Sequence, residues 1–392
     1  MRILLISRCP PYPLHLGDRL IVYHLAEELE ALGHEIDLLA FANRAEDWHE
    51  QGRYDHLFGQ VRLFTEPRRS QGEYLRRALL PTARWPRRAE QSWSPEMWRA
   101  IEAALAATRY DALHLFGGIQ VYEFAGALGG RPAVITPYES YSLYLRRALA
   151  SASGAARLTT RVQLALARHF ESWMFTPYKR VVVVSERDRD ELLGLNPALP
   201  VQVIPNGVDT YHFRPRPTGR IPALLFVGNY EYAPNVDAAL RLAREIFPAV
   251  RQRVPGVRLW LVGNAPPPEL RALASDTIRV TGRVPDVRPY LARAGAFVSP
   301  LRLGAGIKNK VLEALAMGCP LVATPLSVDG IHVTDGHDAL IADGDGLAEA
   351  VVRLLSDAAL RSQLALNGRA LIEREYAWEQ VAAAYVGVYQ SG

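Results

Sequence analysis

The sequence predicts an α/β protein built from two doubly wound domains in tandem, and three observations predict it. Short apolar runs of strand length alternate with longer amphipathic stretches, the pattern of a parallel sheet covered by helices. The alternation halts at Pro205-Asn206-Gly207-Val208-Asp209 and a proline- and arginine-punctuated linker, then starts again, so it runs twice. The length, 392 residues, suits two or three globular domains. The domains are read as 1–206 and 207–375, with the last helix, 376–392, either packing on the second domain or crossing back to the first.

In the first domain the expected strands are 3–7, 36–41, 112–115, 133–136, 181–185 and 201–204. Each is a short aliphatic run of the kind that parallel strands buried on both faces require. Between the first two, Leu25, Leu29 and Leu32 recur at helical spacing, Asp18 is placed to cap the helix and Gly33 to end it. In the second domain the expected strands are 224–227, 258–262, 278–280, 296–299 and 321–323, with helices near 236–247 and 308–317 and a closing helix over 378–389.

Composition removes several classes. No window approaches the roughly 18 to 20 apolar residues of a membrane span. The opening 1–7 runs into Arg8 without a small-residue cleavage site and reads as a strand, not a signal peptide. Cys9 and Cys319 form no disulfide framework and have no zinc-like partners in sequence, which places the chain in a reducing cytoplasm. A net charge of +4 is too mild to argue for nucleic acid. One count is more informative: of 45 basic residues only Lys179, Lys308 and Lys310 are lysines, against 42 arginines.

Ligands of open parallel sheets bind beyond the carboxyl ends of the strands. The first such loop, 8–17, lacks the Gly-x-Gly-x-x-Gly fingerprint of dinucleotide binding and any Walker pattern. Its end, Gly17-Asp18, opens a helix where backbone N–H groups can meet an anion, or where the chain simply turns. The sharpest segment is 299–320. A strand end is followed by Gly304-Ala305-Gly306-Ile307, then Lys308-Asn309-Lys310 at a helix start, Glu313 one turn on, and Gly318-Cys319-Pro320 returning to a strand. Free N–H groups, glycines that permit close approach and compact ammonium groups make a diphosphate cradle. Glu313 is suited to paired hydroxyls such as those of a ribose. The alternative, Lys310 and Glu313 as an ordinary surface pair, leaves unexplained why a chain that writes its cations as arginine places two lysines one residue apart.

The segment 306–320, with Pro205-Asn206-Gly207-Val208-Asp209 and Phe226-Val227-Gly228-Asn229, resembles the retaining family-4 glycosyltransferases, whose two Rossmann-like domains face each other across a cleft. The opening Pro10-Pro11-Tyr12-Pro13 with Gly17-Asp18-Arg19, and Ile307-Lys308-Asn309-Lys310-Val311-Leu312-Glu313-Ala314, look like sugar transferases of exopolysaccharide loci. The resemblance covers essentially the whole chain. It implies that Glu313, the second glutamate of an E-x7-E motif, contacts the donor ribose, and that His114 lies near the donor sugar. It further implies contacts to the donor from Gly17, Asp18, Gly228, Asn229, Gly263, Val284, Gly306, Ile307 and Asn309, with Asn264 beside Gly263. Two departures stand out. The first glutamate falls at Ala305, and the loop 228–235 lacks the usual cations that grip the diphosphate; Lys308 is placed to restore that charge.

With no Asp-x-Asp and no metal expected, Lys308 and the helix start would stabilise the leaving diphosphate. The resemblance implies same-face attack, the acceptor's proton passing to the leaving phosphate. Glu139, after strand 133–136, is placed to meet an acceptor hydroxyl. Residues 66–100 carry eight arginines and four glutamates interleaved with Tyr74, Trp85, Trp93 and Trp98; residues 141–170 carry five arginines and no acid. Such segments suit an anionic membrane surface, at about 1 kcal/mol per basic residue, where a lipid-linked acceptor would be presented, or form a solvated basic face. The expected function is thus transfer of a sugar from a nucleotide-diphosphate sugar to a sugar or lipid-linked hydroxyl in cell-surface polysaccharide or glycolipid synthesis, by a cytoplasmic enzyme peripheral at the membrane. The rivals are an epimerase or hydrolase on the same fold and a nucleotide-binding scaffold that has lost catalysis.

Overall fold

The computed structural model describes residues 1–392 apart from His15, Ala152, Ala305 and Gly392. The chain forms two compact units, Met1–Pro205 with Val381–Gly392, and Asn206–Gln380.

The first unit runs β1 (Arg2–Ser7), α1 (Gly17–Ala31), β2 (Glu35–Ala42), β3 (Gln60–Thr65), α2 (Gln71–Leu79), α3 (Pro95–Ala107) and β4 (Ala112–Phe116). It continues β5 (Val134–Tyr138), α4 (Tyr141–Ser151), α5 (Gly154–Glu171), β6 (Arg180–Val183), α6 (Glu186–Leu195) and β7 (Val201–Val203). The second runs β8 (Ile221–Val227), α7 (Ala233–Arg241), α8 (Phe247–Arg253), β9 (Arg258–Val262), α9 (Pro268–Arg271), β10 (Ile278–Val280) and α10 (Arg288–Arg293). Then follow β11 (Ala294–Ser299), α11 (Asn309–Ala316), β12 (Leu321–Ala323), β13 (Leu340–Ile341), α12 (Gly346–Ser356) and α13 (Ala358–Glu375); α14 (Trp378–Gln390) begins in the second unit and from Val381 belongs to the first.

The first sheet has the order β3-β2-β1-β4-β5-β6-β7, the second β10-β9-β8-β11-β12-β13. Pairing is parallel throughout, with Ser7 level with Phe116 and Val227 level with Val262. Both orders reverse beside their first strand, so each sheet has one topological switch point: between β1 and β4, and between β8 and β11. Crevices at such points are where open α/β sheets hold ligands. Each unit has its own core, around Ile6, Phe41, Trp98, Ile101 and Phe124 in the first and Phe226, Leu242, Val250, Leu261 and Val298 in the second.

The fold class is therefore the expected one, with local differences. β3 was not anticipated from the sequence because it is an edge strand whose alternate residues, Gln60 and Arg62, stay exposed. β13 is two residues long, too short for a periodic signal. Asp18 does not cap α1: Leu16 occupies that position and Asp18 lies in the first turn. Gly33 does end the helix, at φ +78. The stretch 236–247 is not one regular helix but α7 and α8 joined by a π-helical turn, Leu242–Ile246.

Candidate functional site

At the switch point of the second unit, the loops after β8 and β11 come together. Gly263 shows how tightly the first is packed, since a Cβ there would lie 1.7 Å from the Gly228 carbonyl oxygen, at φ +150. Only glycine fits that approach. Asn229 accepts from Asn264 Nδ2 at 3.4 Å through its side chain and from Asn235 Nδ2 at 2.7 Å through its backbone. Val284 lies half-buried in the loop after β10, near Gly282, whose carbonyl accepts from Gly263 N.

The loop after β11 reaches α11 through Gly304, Gly306 and Ile307. Lys308 is the N-cap residue, yet its side chain caps no N–H group; it is 8% exposed and its ammonium donates to the Gly306 carbonyl. Asn309 accepts from Asn206 Nδ2 at 3.2 Å. Lys310 donates to Asn235 Oδ1. Burial holds its ammonium down to about 7, helped by Lys308 and opposed by Glu313. Glu313 is pushed up to about 7 by burial, against the attraction of Lys310. Two ammonium groups and one carboxylate, Lys310 and Glu313 half-buried and Lys308 buried, thus share one turn beside a helix amino terminus. Ala305, where the family's first glutamate is absent, lies outside the described residues.

At the switch point of the first unit, Arg8 N donates to the Phe116 carbonyl at 2.8 Å. The Arg8 guanidinium lies 5.5 Å from the Tyr138 ring centre and 3.0 Å from Asp18. Tyr138 itself adopts φ +77, a costly backbone for a bulky residue. Gly17 is exposed at the start of α1, and Arg19 is buried on Asp47. Beyond Tyr138, Glu139 opens a loop held from below by three buried carboxylates. Asp188 accepts from Ser140 N at 2.9 Å, Glu171 from Tyr141 N at 2.7 Å, and Glu191 from Ser142 Oγ at 3.1 Å. Burial pushes Glu171 up to about 7, against the hydrogen bonds from Ser142, Ser140 and the backbone of Tyr141 and Ser142.

The family description "Glycosyltransferase Family 4" matches residues 20–212, and "Glycosyl transferases group 1" matches residues 221–357. Lipopolysaccharide core biosynthesis glycosyltransferase LpsE of Rhizobium meliloti is 34% identical over 152 residues, 36% of this chain and 43% of that protein. The GDP-mannose-dependent alpha-(1-6)-phosphatidylinositol monomannoside mannosyltransferase of Mycobacterium tuberculosis is 30% identical over 275 residues, 60% of this chain and 71% of that protein. The chain belongs to the family-4 glycosyltransferases. Among solved structures, Anabaena HepE in complex with UDP has the same fold, with a TM-score of 0.69 at 16% identity over all of both chains.

In this glycosyltransferase His114 lies on β4, inside the first unit. It has no exposure; Nε2 meets Thr136 Oγ1 at 2.8 Å and Nδ1 meets the Tyr389 hydroxyl at 2.9 Å. Burial pushes it down to about 3, so it is neutral, with both ring nitrogens engaged. In the basic segment 66–100, Trp93 and Trp98 are buried in the core, and Arg77 is buried against Glu123. Asn235 carries no signal in the sequence, because the stretch 228–235 has no cation and an amide bears no charge. Nor was Arg8 anticipated from the sequence, although Gly117, whose Cβ would lie 2.9 Å from that of Arg8, was a signal of close approach.

Proposed function

We propose that this glycosyltransferase moves a sugar, with retention of configuration and without a metal, from a nucleotide-diphosphate sugar to a hydroxyl acceptor in cell-surface polysaccharide or glycolipid assembly. The observation that carries the reading is the clustering of Lys308, Lys310, Glu313 and the uncapped start of α11 at the switch point of the second sheet. The chemistry follows from the leaving group. The bond from the anomeric carbon to the diphosphate breaks, the bond to the acceptor oxygen forms on the same face, and the acceptor's proton passes to the departing phosphate oxygen. Lys308 and the N–H groups of α11 face the negative charge that develops there. Glu313 accepts from the ribose hydroxyls, and Gly228, Asn229, Gly263, Val284, Gly306, Ile307 and Asn309 shape the pocket. Gly17 and Asp18 are proposed donor contacts, and Glu139 belongs to the acceptor side. Thermal-shift screening against UDP, GDP, ADP, CMP and dTDP compounds, with donor-hydrolysis assays on the hits, is expected to single out one base. No shift with any of them would count against the reading.

The acceptor we infer is lipid-linked and met at an anionic bilayer. The support is a patch on α2 and α5, which adjoin where His169 meets the Ala78 carbonyl at 2.7 Å. Leu75 and Leu79 are 53% and 68% exposed there, and Leu158, Val162 and Leu166 form a stripe at four-residue spacing on α5. Arg157 and Arg161 lie exposed beside them, and the acid of α5, Glu171, is buried at its far end. Exposed apolar residues flanked by arginines fit an interfacial helix. Among the described residues no helix is long and apolar enough to cross a membrane. Flotation with vesicles containing anionic phosphatidylglycerol is expected to carry the protein and to fail for Leu158→Glu/Val162→Glu. Equal flotation of the two forms would reject the patch.

A further inference from the structure

The two lysines at the start of α11 point to different partners. Lys308 turns back to the Gly306 carbonyl of its own loop. Lys310 reaches instead to the first turn of α7, where its ammonium donates to Asn235 Oδ1 and lies 4.8 Å from the centre of the Phe226 ring. Asn235 is 6% exposed, and its other end donates to the Asn229 carbonyl at 2.7 Å. A Cβ on Gly228 would lie 3.1 Å from Asn235 Cβ. One buried amide therefore spans both loops of the switch point, anchoring 228–229 and receiving Lys310. The stretch 228–235 contains no lysine or arginine. The positive charge at that side of the crevice arrives from α11.

Lys310 is half-buried, and an ammonium whose partners are a neutral amide and a ring is poorly compensated for the water it has lost. The charged groups that face it are Lys308, which repels it, and Glu313, which attracts it. Near neutral pH Lys310 is thus only partly protonated, since desolvation brings it to about 7. A bound diphosphate would reverse the balance, because a nearby anion favours the charged form.

We propose that Lys310 is a second diphosphate-binding cation of this site, parked on Asn235 when the site is empty and drawn to the ligand, with uptake of a proton, when a nucleoside diphosphate binds. The inference rests on the donor-site reading above. Because the bound state holds the extra proton, affinity is highest below neutrality and weakens as pH rises past 7.

Titration calorimetry of the full chain with UDP and GDP, in HEPES and in Tris, measures the proton directly from the difference in buffer heats. At pH 8 Glu313 is largely ionised already and contributes little. The wild type is expected to take up close to one proton per bound nucleotide at pH 8 and little at pH 6. Lys310→Arg, always charged, should bind without uptake. Lys310→Met should lose uptake and weaken binding by roughly tenfold or more. Binding by the wild type with no proton uptake at pH 8, or uptake unchanged in Lys310→Met, overturns the role of Lys310 and leaves the donor site standing. Binding of neither nucleotide by any form overturns the donor site and this inference together.

Discussion

Lys308→Ala is expected to lower kcat/KM for sugar transfer by roughly 100-fold to 1000-fold, the range seen when one donor to a developing oxyanion is removed. The side chain sits at the N-cap of α11, is 8% exposed, and is folded onto its own loop. Enclosed in this way, its charge acts through a low dielectric and needs little reorganisation when the leaving diphosphate gains charge. Lys308→Arg should recover only part of the loss, because a planar fork does not occupy the volume of a compact ammonium. The measurement is steady-state kinetics with the donor identified by the thermal-shift panel, beside a melting curve. A near-normal kcat/KM in a folded Lys308→Ala protein would remove Lys308 from the chemistry.

Arg77→Ala should have the largest effect on stability, about 3 to 5 kcal/mol, as expected when one partner of a buried ion pair is removed. In a unit of this size that corresponds to a fall in Tm of roughly 10 °C. Arg77 Nη2 lies 2.7 Å from Glu123 Oε2, and both side chains are buried. The guanidinium also stacks 3.6 Å from the Trp93 ring centre and donates to the Tyr122 hydroxyl at 3.1 Å. Glu123 is further held by Ser92 Oγ at 2.8 Å and Trp93 N at 3.1 Å. Without Arg77 that carboxylate keeps its neutral donors but loses its counter-charge. Arg77→Met with Glu123→Leu should recover much of the loss, because an apolar pair of similar volume avoids the desolvation of both ions. Thermal unfolding of the two variants beside the wild type decides it; an Arg77→Ala protein as stable as the wild type would show that the pair contributes nothing.

What was legible in the sequence was local. The loop 304–313 carries its glycines, lysines and glutamate within ten residues, so its chemistry could be read before any fold was known. The strand runs around Ile6, Val182, Leu261 and Val298 announce themselves because a parallel strand covered on both faces has no polar alternation to hide them. What was illegible depends on distant partners. His114 looked available because nothing near it in sequence explains it; its partner Tyr389 is 275 positions away. Asn235 and Lys310 are 75 apart, and Asn235 is inconspicuous without the lysine that it receives. The tryptophans of 66–100 read as interfacial because aromatic and basic residues are interleaved there, but a sequence does not say which of them turn inward to Tyr122 and Phe124.

The hydrogen bond from Tyr389 to His114, with Tyr385 5.4 Å from the same ring, has a bearing on biosynthesis. These tyrosines belong to the segment Val381–Gly392 that completes the first unit, yet in the chain they follow every residue of the second. Domains ordinarily fold as units during synthesis, the amino-terminal one first. Here the unit that begins to emerge first leaves His114 without its cover until all of Asn206–Gln380 has been made. The second unit can close while the first still waits for its final helix, so a ribosome that stalls within 206–380 would release a nascent chain with a gap over the middle of its first sheet.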